Sequence, residues 1–518
     1  MILVILIFLP VIGGILAWIA GRWNTTLPRW IALLTMLTHL VIALAAWVTT
    51  SLSSGWMAEI NMPWIPSLGI SLHLGADGIS LLLVILTSIL GVVSVLASWT
   101  GITERVGFFH FMLLWILGTI VGVFVSLDLF LFYFFWEMTL VPLYFLIAIW
   151  GHEARIYASI KFFIFTQASS LFMLLSILGL YFINAANTGV FSFDYDILLN
   201  TTLPAGTALW LCLGFLLAFL VKLPAVPFHT WLPDAHTEAP TAGSVVLAGL
   251  VLKLGAYGLF RFVLPLFAGA AQMLSSWMMA LGGIGILYGA LMAFGQTDFK
   301  RLVAYTSVSH MGFVLVGVFS MNPLGLQGAM IVMLAHGIST GALFVMAGIL
   351  QDRLHTRDMS RMGGLWDTVP RLGGISMLFA LASLGLPGLG NFVGEFLVLL
   401  GAFHVNLTWT VLATLGFVGS TVYALYLIQR AFQGPNRNDL RLPDINPREA
   451  VIFASLIVII VWMGLNPQPL INTAQPAIQT IQNSISRQGA APDPAVDAQG
   501  QPGAAVKNLL APAPKEEP

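Results

Sequence analysis

Long apolar runs alternate with short polar connections along this chain, and the runs have the length of membrane spans. At about 20 apolar residues per span, the pattern predicts fourteen helices. The first five lie near residues 2–20, 30–49, 78–99, 107–126 and 128–150. The next five lie near 157–183, 207–232, 244–267, 273–295 and 301–320, and the last four near 325–350, 372–404, 409–432 and 448–466. They are spans 1 to 14 below. The expected fold is an all-α polytopic membrane protein. Its blocks are 1–100 (spans 1–3), 107–267 (spans 4–8), 273–432 (spans 9–13) and 448–466 (span 14). Residues 467–518 form an Ala/Pro/Gln-rich tail, read from Gln488 onward as mobile polar chain.

Two spans do not stay apolar or continuous. Span 7 carries Lys222, then Pro224 and Pro227, each of which removes a backbone donor. Span 12, at about 33 residues, is too long for one straight crossing and is interrupted at Leu386-Pro387-Gly388. Broken helices at membrane depth occur where the backbone is buried in protein or lines a polar cavity. Spans 7 and 12 are five apart, so spans 4–8 and 9–13 are expected to be two inverted five-helix repeats. The repeat is topological: KFFIFTQASSLF in span 6 and RLVAYTSVSHMGF in span 10 share only a polar centre.

Arginine and lysine test the span count. Arg22, Arg29, Arg105, Arg155 and Lys161 follow spans 1, 3 and 5. Lys300, Arg301, Arg353, Arg357, Arg361 and Arg371 follow spans 9 and 11, and Arg430, Arg437, Arg441 and Arg448 follow span 13. All belong to odd-to-even connections or their flanks. The positive-inside rule therefore makes these connections cytoplasmic and puts both termini outside. Met1 to Ala20 lacks a basic leader and reads as a retained first span.

Composition agrees: 58% of residues are hydrophobic, 8% are charged, and the mean hydropathy is +0.92. The partner implied is the lipid bilayer; a net charge of −1 gives no nucleic-acid footprint. The single cysteine, Cys212, can form neither an intrachain disulfide nor a multi-cysteine metal site.

Against this apolar background a few ionisable residues fall inside spans. A charge at bilayer depth costs at least roughly 2.5 kcal/mol, so it needs a partner or a polar cavity. Lys222, Lys253, Glu137 and Glu395 are the strongest candidates for an ion or proton path. Glu137 lies about 13 Å into span 5, close to mid-membrane, and is the natural carboxylate partner of Lys222. A lysine's hold on its proton depends on whether such a carboxylate is near, so the pair can act as a switch. The bland alternatives are snorkelling for the lysines, and for Glu395 the satisfaction of backbone groups freed by the Pro-Gly break. His310 and His336 lie mid-span and His229 beside the span 7 break; all three are candidate relays, with His236 a weaker one in a connector. Arg261 near the outer end of span 8 reads as a snorkelling residue. Asp234 and Glu238 read as helix caps, and Asp128 as an N-terminal dipole partner for span 5.

No CxxC pattern, phosphate-binding glycine loop or nucleophile elbow is present in the sequence. Redox chemistry is therefore expected in other subunits. The segments FFWEMTLVPLYFLI, LVKLPAVPFHTWLPDAHTEAPTAGSVVLAGLVLKLGAYGL, YTSVSHMGFV and GLPGLGNFVGEF resemble the antiporter-like subunits of proton-pumping NADH:quinone oxidoreductase, respiratory complex I. The resemblance covers roughly residues 77–466 and favours the subunit type with glutamate at Glu395, where sister types place lysine. It implies that Glu137 is the coupling glutamate, Lys222 its paired lysine, Lys253 the central lysine and Glu395 the terminal proton-exchanging residue, with His310 and His336 among the joining polar groups. It also implies membrane-arm partner subunits, including two antiporter-like sisters. FMN, iron–sulfur clusters and quinone are expected in partner subunits and no cofactor in this chain. Multi-chain sodium/proton antiporters and membrane-bound hydrogenase or formate hydrogenlyase subunits share these motifs and stay open as alternatives.

Overall fold

The computed structural model describes residues 1–49, 55–436 and 440–489. Arg437 and the tail beyond Gly489 lie outside the described residues. Among the described residues, thirteen helices are long and apolar enough to cross a membrane, from Ile2–Ala20 to Pro447–Leu465. The remaining expected crossing, span 12, is two half-helices, Pro370–Ser383 and Gly390–Phe403, neither long enough alone. Thr241–Leu266, Phe299–Phe319 and Pro323–Leu354, which are spans 8, 10 and 11, are buried along their whole apolar windows and form the centre. Spans 1, 2, 6 and 13 instead expose large apolar side chains such as Ile12, Trp30, Phe172 and Val418, as lipid-facing helices do.

Connections of like parity meet. On one face, bridges join Leu74 to Ser126 and Asp128 to Asp194, linking the connections after spans 2, 4 and 6. On the other, Asp298 bridges Asp358 and the His152 amide donates to Glu238 O (2.9 Å), linking those after spans 5, 7, 9 and 11. The second is the arginine-bearing face, called the basic face below.

The structure adds four features to the expected pattern. First, residues between spans 2 and 3 form an antiparallel hairpin of β1 (Met57–Ile65) and β2 (Ile70–Ala76), the one sheet among the described residues. The turn uses Gly69 at φ 66°, where an added Cβ would run into Phe191 O.

Second, span 5 is two helices, Leu129–Met138 and Leu140–Trp150, that meet at Thr139. Pro142 explains the joint, since it cannot donate to the carbonyl of Met138 one turn earlier. Third, span 8 contains two π-turns, Leu247–Val251 and Leu259–Val263.

Fourth, the expected polar tail begins as a helix, Gln468–Gly489. Its Leu470, Ala474, Ala477, Ile478, Ile481 and Ile485 recur at helical spacing and are buried. Polar residues between them keep its hydropathy below that of a membrane span.

Candidate functional site

Glu137 stands one residue before Met138, where the first half of span 5 ends. The joint turns its half-buried carboxylate toward Ser170 and Gln167 of span 6 and Tyr133 of its own helix. Lys222 is the last residue of helix Ala205–Lys222, whose i→i−4 ladder ends at Leu223 before Pro224. Its ammonium donates to Thr139 Oγ1 (3.4 Å) and lies 4.8 Å from the ring centre of Trp136. Both partners come from the joint in span 5. A cation over an indole face gains about 2 kcal/mol or more when desolvated, which offsets part of the burial cost. The structure does not bring Glu137 and Lys222 into ion-pair contact: Lys222 is held by the hydroxyl and the indole beside that glutamate.

Lys253 is wholly buried, 0% exposed. The first π-turn accounts for its tolerance. Widening the helix at Leu247–Val251 turns the Ala248 carbonyl out of the regular ladder, and Lys253 Nζ donates to it at 2.5 Å. The same Nζ lies 2.6 Å from His336 Nδ1 of span 11. Across that helix the His336 ring meets His310 of span 10, with centroids 5.4 Å apart and planes at 64°. His310 Nδ1 lies 2.7 Å from Glu395 Oε1, and its Nε2 lies 3.1 Å from Ser383 Oγ and 3.2 Å from Tyr423 OH. The order Lys253, His336, His310, Glu395 is thus a run of buried groups joined by short contacts. Its one step without a hydrogen bond is between the two imidazoles, where His336 Nε2 has no partner among the described residues.

Local sequence positions the end of this run. Helix Gly390–Phe403 can lie against span 11 only because Gly394 and Gly328 lack side chains; a Cβ on Gly394 would sit 2.6 Å from Val332 N. Gly385 and Gly388 take φ values of 80° and 94° in the break, and a Cβ on Gly385 would lie 3.1 Å from Glu395 Oε2. The Leu386-Pro387-Gly388 interruption thus makes room for a carboxylate that is 1% exposed.

The remaining candidates are placed apart from this run. His229 packs against Tyr288 and Tyr305, with ring centres at 4.9 and 6.2 Å, and its Nδ1 has no partner among the described residues. His236 stacks on Phe344 at 4.5 Å, with both ring nitrogens buried and unpartnered among the described residues. Asp234 pairs with Lys161 (2.7 Å) and Arg301 (3.2 Å) instead of capping its own helix. Glu238 accepts from the Ala154 amide (2.9 Å), at the start of span 6, and pairs with Arg357 (3.6 Å). Asp128 does cap span 5, accepting from the Phe130 and Leu131 amides.

Sequence reasoning missed several groups. Lys300 counted as a flanking charge, yet it is buried and donates to Ala239 O (3.1 Å), with His152 Nε2 at 3.4 Å. Gln351 Nε2 lies 3.1 Å from the same His152 nitrogen, at the floor of a recess of about 1210 Å³ open to the basic face. In that loop, burial and then the cations of Lys300 and Arg357 hold His152 down at about 3, so it stays neutral at physiological pH. Thr139, Ser383 and Tyr423 gave no sign in sequence. Only the polar centre of KFFIFTQASSLF pointed toward Gln167 and Ser170.

A central line of buried ionisable groups between broken helices is the architecture of an ion-translocating membrane protein. A model of the NADH:quinone oxidoreductase/Mrp antiporter transmembrane family matches residues 126–421, and the chain belongs to this family. Within it, the chain is similar to NADH-quinone oxidoreductase subunit M. That of Pseudomonas aeruginosa is 54% identical over 496 residues, covering 93% of this chain and 97% of the relative. That of Escherichia coli K12 is 52% identical over 492 residues, covering 92% and 97%. Among solved structures, a chain of respiratory complex I from Thermus thermophilus matches at a TM-score of 0.86 and 30% identity, over 94% of this chain and 99% of that one. A chain of the Mrp complex from Dietzia sp. shares the fold at a TM-score of 0.81 and 20% identity, over 93% and 99%.

Proposed function

We infer that this chain is a proton-translocating membrane subunit of an NADH:quinone oxidoreductase, and that its protons move along Glu137, Lys222, Lys253, His336, His310 and Glu395. The extent of identity with subunit M relatives supports the complex and disfavours the antiporter and hydrogenase alternatives. The observation that carries the path is the unbroken burial and short spacing from Lys253 to Glu395. His152, Lys300 and His236 supply polar groups from the basic face toward Lys253. Lys253 can hand a proton to His336 Nδ1. The imidazole of His310 then takes it on the Nε2 side and passes it from Nδ1 to Glu395 Oε1. Histidine suits this because one ring nitrogen can accept while the other donates.

The chain divides into two polar groups, one at Lys222 and one at Lys253, and no hydrogen bond joins them among the described residues. Span 8 nevertheless packs straight onto the span 7 break, since a Cβ on Gly255 would lie 2.8 Å from Leu223 N. Charge movement at Glu137 therefore reaches Lys253 through the field of Lys222. Glu137, half-buried and beside lipid-facing Phe134, is placed to respond to a neighbouring subunit.

The partners are the other membrane-arm subunits, including two antiporter-like sisters, and those elsewhere in the complex that hold FMN, iron–sulfur clusters and quinone. The basic face is cytoplasmic and both termini are periplasmic, on the strength of the arginine distribution. The test is to measure protons moved per NADH oxidised in assembled complexes carrying Lys253→Ala or Glu137→Gln. Each is expected to lower pumping by about a hundredfold or more, the low end of what losing a proton-transfer group costs. Parental pumping by the Lys253→Ala complex, with normal subunit content, would overturn the path.

A further inference from the structure

Span 8 carries polar side chains past Lys253 toward the hairpin face. Tyr257 follows it four residues on in the α-helical segment Leu252–Gly258, about 6 Å along the axis, and Arg261 comes four residues later in the second π-turn. Arg261 is 4% exposed, so it does not snorkel to the surface. Its guanidinium pairs with Asp77, the N-cap of span 3, and its Nε donates to Tyr257 OH at 3.2 Å. Trp56, just before the hairpin, covers it at 4.7 Å from the ring centre. Tyr257 OH donates to Phe124 O (2.8 Å) and lies 3.2 Å from Ser80 Oγ. A cavity of about 170 Å³ reaches Arg261 and Asp77 from the hairpin face, lined also by Trp56, Tyr195, Asp196 and Ile481.

Lys253, Tyr257 and this cavity mark a short way from the buried proton line to the hairpin-side phase. It would bypass His336, His310 and Glu395 altogether. A hydrogen-bonded chain conducts protons only if each member can both accept and donate. Tyrosine and serine can; arginine has five donors, no acceptor, and never gives up its charge in proteins. Its fixed cation also repels a second positive charge in a site poor in water, as cation barriers do in selective pores. Asp77 cannot substitute as the acceptor, because one of its oxygens is held by Arg261 and the other by the Ser80 amide (2.9 Å).

We propose that Arg261, held by Asp77 and Trp56, is an electrostatic stopper that closes a hairpin-side leak from Lys253 and so forces protons to leave by way of Glu395. The proposal rests on the path inferred above. Arg261 is a positioning residue here and touches no transferred proton.

The experiment uses the assembled complex in liposomes and reads three quantities: NADH:quinone turnover, protons moved per electron, and passive proton conductance of the idle enzyme under an imposed pH gradient. Arg261→Gln is expected to keep turnover while raising idle conductance several-fold and lowering protons per electron. Arg261→Lys, which keeps the cation, should stay near parental tightness. Should Arg261→Gln fail to assemble because Asp77 is left uncompensated, the neutral double variant Asp77→Asn with Arg261→Gln tests the same loss of charge and should leak equally. Adding Lys253→Ala should abolish the leak, because its source is gone. An assembled charge-free variant as tight as the parent would overturn the stopper, and so would a leak that survives Lys253→Ala. Neither result bears on whether Lys253→Ala abolishes pumping in the parent, so failure of the stopper and failure of the path are told apart.

Discussion

At the scale of single residues, the site depends on whether a buried group keeps a partner once its neighbour changes. Glu395 and His310 show this most directly, at 2.7 Å and both 1% exposed. Glu395→Gln keeps an oxygen or amide against His310 Nδ1 but removes the exchangeable proton. It should leave thermal stability of the purified complex near parental and abolish pumping. Glu395→Ala strands the imidazole nitrogen as well, which costs about 1–3 kcal/mol for an unsatisfied buried polar group. It should therefore lose pumping and also lower the melting midpoint. Equal pumping by the glutamine variant and the parent would take Glu395 out of the path. Glu395→Lys is the instructive third case: an ammonium can still exchange a proton, so it should pump better than the alanine variant, with an altered pH profile. Glu137, Lys222, Lys253 and Glu395 were legible in the sequence because a charge inside an apolar run is expensive wherever it ends up. Their partners were not. Nothing distinguishes Thr139, Ser383 or Tyr423 from other hydroxyl-bearing residues in spans until the helices are packed, and Lys300 was concealed by lying at a span end.

At the scale of elements, interruptions announced by proline and glycine could be read in advance, and those made by the backbone alone could not. The breaks in spans 7 and 12 follow from Pro224, Pro227 and Pro387-Gly388, and Pro142 could have signalled the joint in span 5. The π-turns of span 8 have no such residue, yet one of them supplies the carbonyl that holds Lys253. The hairpin shows in sequence only as the alternating polarity of ISLHLGA after Gly69, between two far longer apolar runs.

That hairpin carries a pH-dependent clasp. His73 Nδ1 lies 2.6 Å from Asp194 Oδ2 and its Nε2 3.0 Å from Glu59 Oε1, so both ring nitrogens face carboxylates and the imidazolium fits best. Asp196 and the capping carboxylate of Asp128, which accepts from Ser71, complete the charged surroundings. Burial pulls the His73 pKa down, but the hydrogen bond to Asp194 and its charge outweigh this and hold it above the usual 6.5. Burial likewise opposes ionisation of Asp194, but His73 keeps its carboxyl below the usual 3.8. A raised histidine stabilises fully below about 6.5 and loses its contribution as pH rises through the folded value. A lowered aspartate contributes above its unfolded value and is lost as pH falls through the folded one. Amide exchange in β1, corrected for intrinsic rate, should thus be slowest in mildly acidic buffer and faster in alkaline buffer. His73→Gln should remove the alkaline part of that dependence; an unchanged profile would show that the clasp does not hold the hairpin.

At the scale of the molecule, the parity of the connections and the broken spans were legible because charge and chain-breaking residues act locally. The helix Gln468–Gly489 was not, because its apolar stripe has meaning only against the surface it covers. It packs across spans 3, 9 and 11 and the end of span 8. Trp47 Nε1 donates to Thr473 Oγ1 (2.9 Å), Gln482 Nε2 donates to Met321 O (2.9 Å), and Gly78 approaches Thr473 O too closely for any side chain. This helix ties the N-terminal spans to both halves of the proton line and supplies Ile481 to the wall of the Arg261 cavity. Ile478→Ala removes a side chain that is 1% exposed and should cost about 2–5 kcal/mol of local packing. Gln479→Ala, on the exposed side, should cost nothing measurable. If the helix is a strap as the contacts indicate, Ile478→Ala will expose Gln468–Gly489 to a protease at concentrations that spare the parent. It will also lower the melting midpoint of the complex, while Gln479→Ala does neither. Equal protease resistance of the two variants would mean that the strap is held by its ends, at Trp47 and Met321, with no need of the apolar stripe.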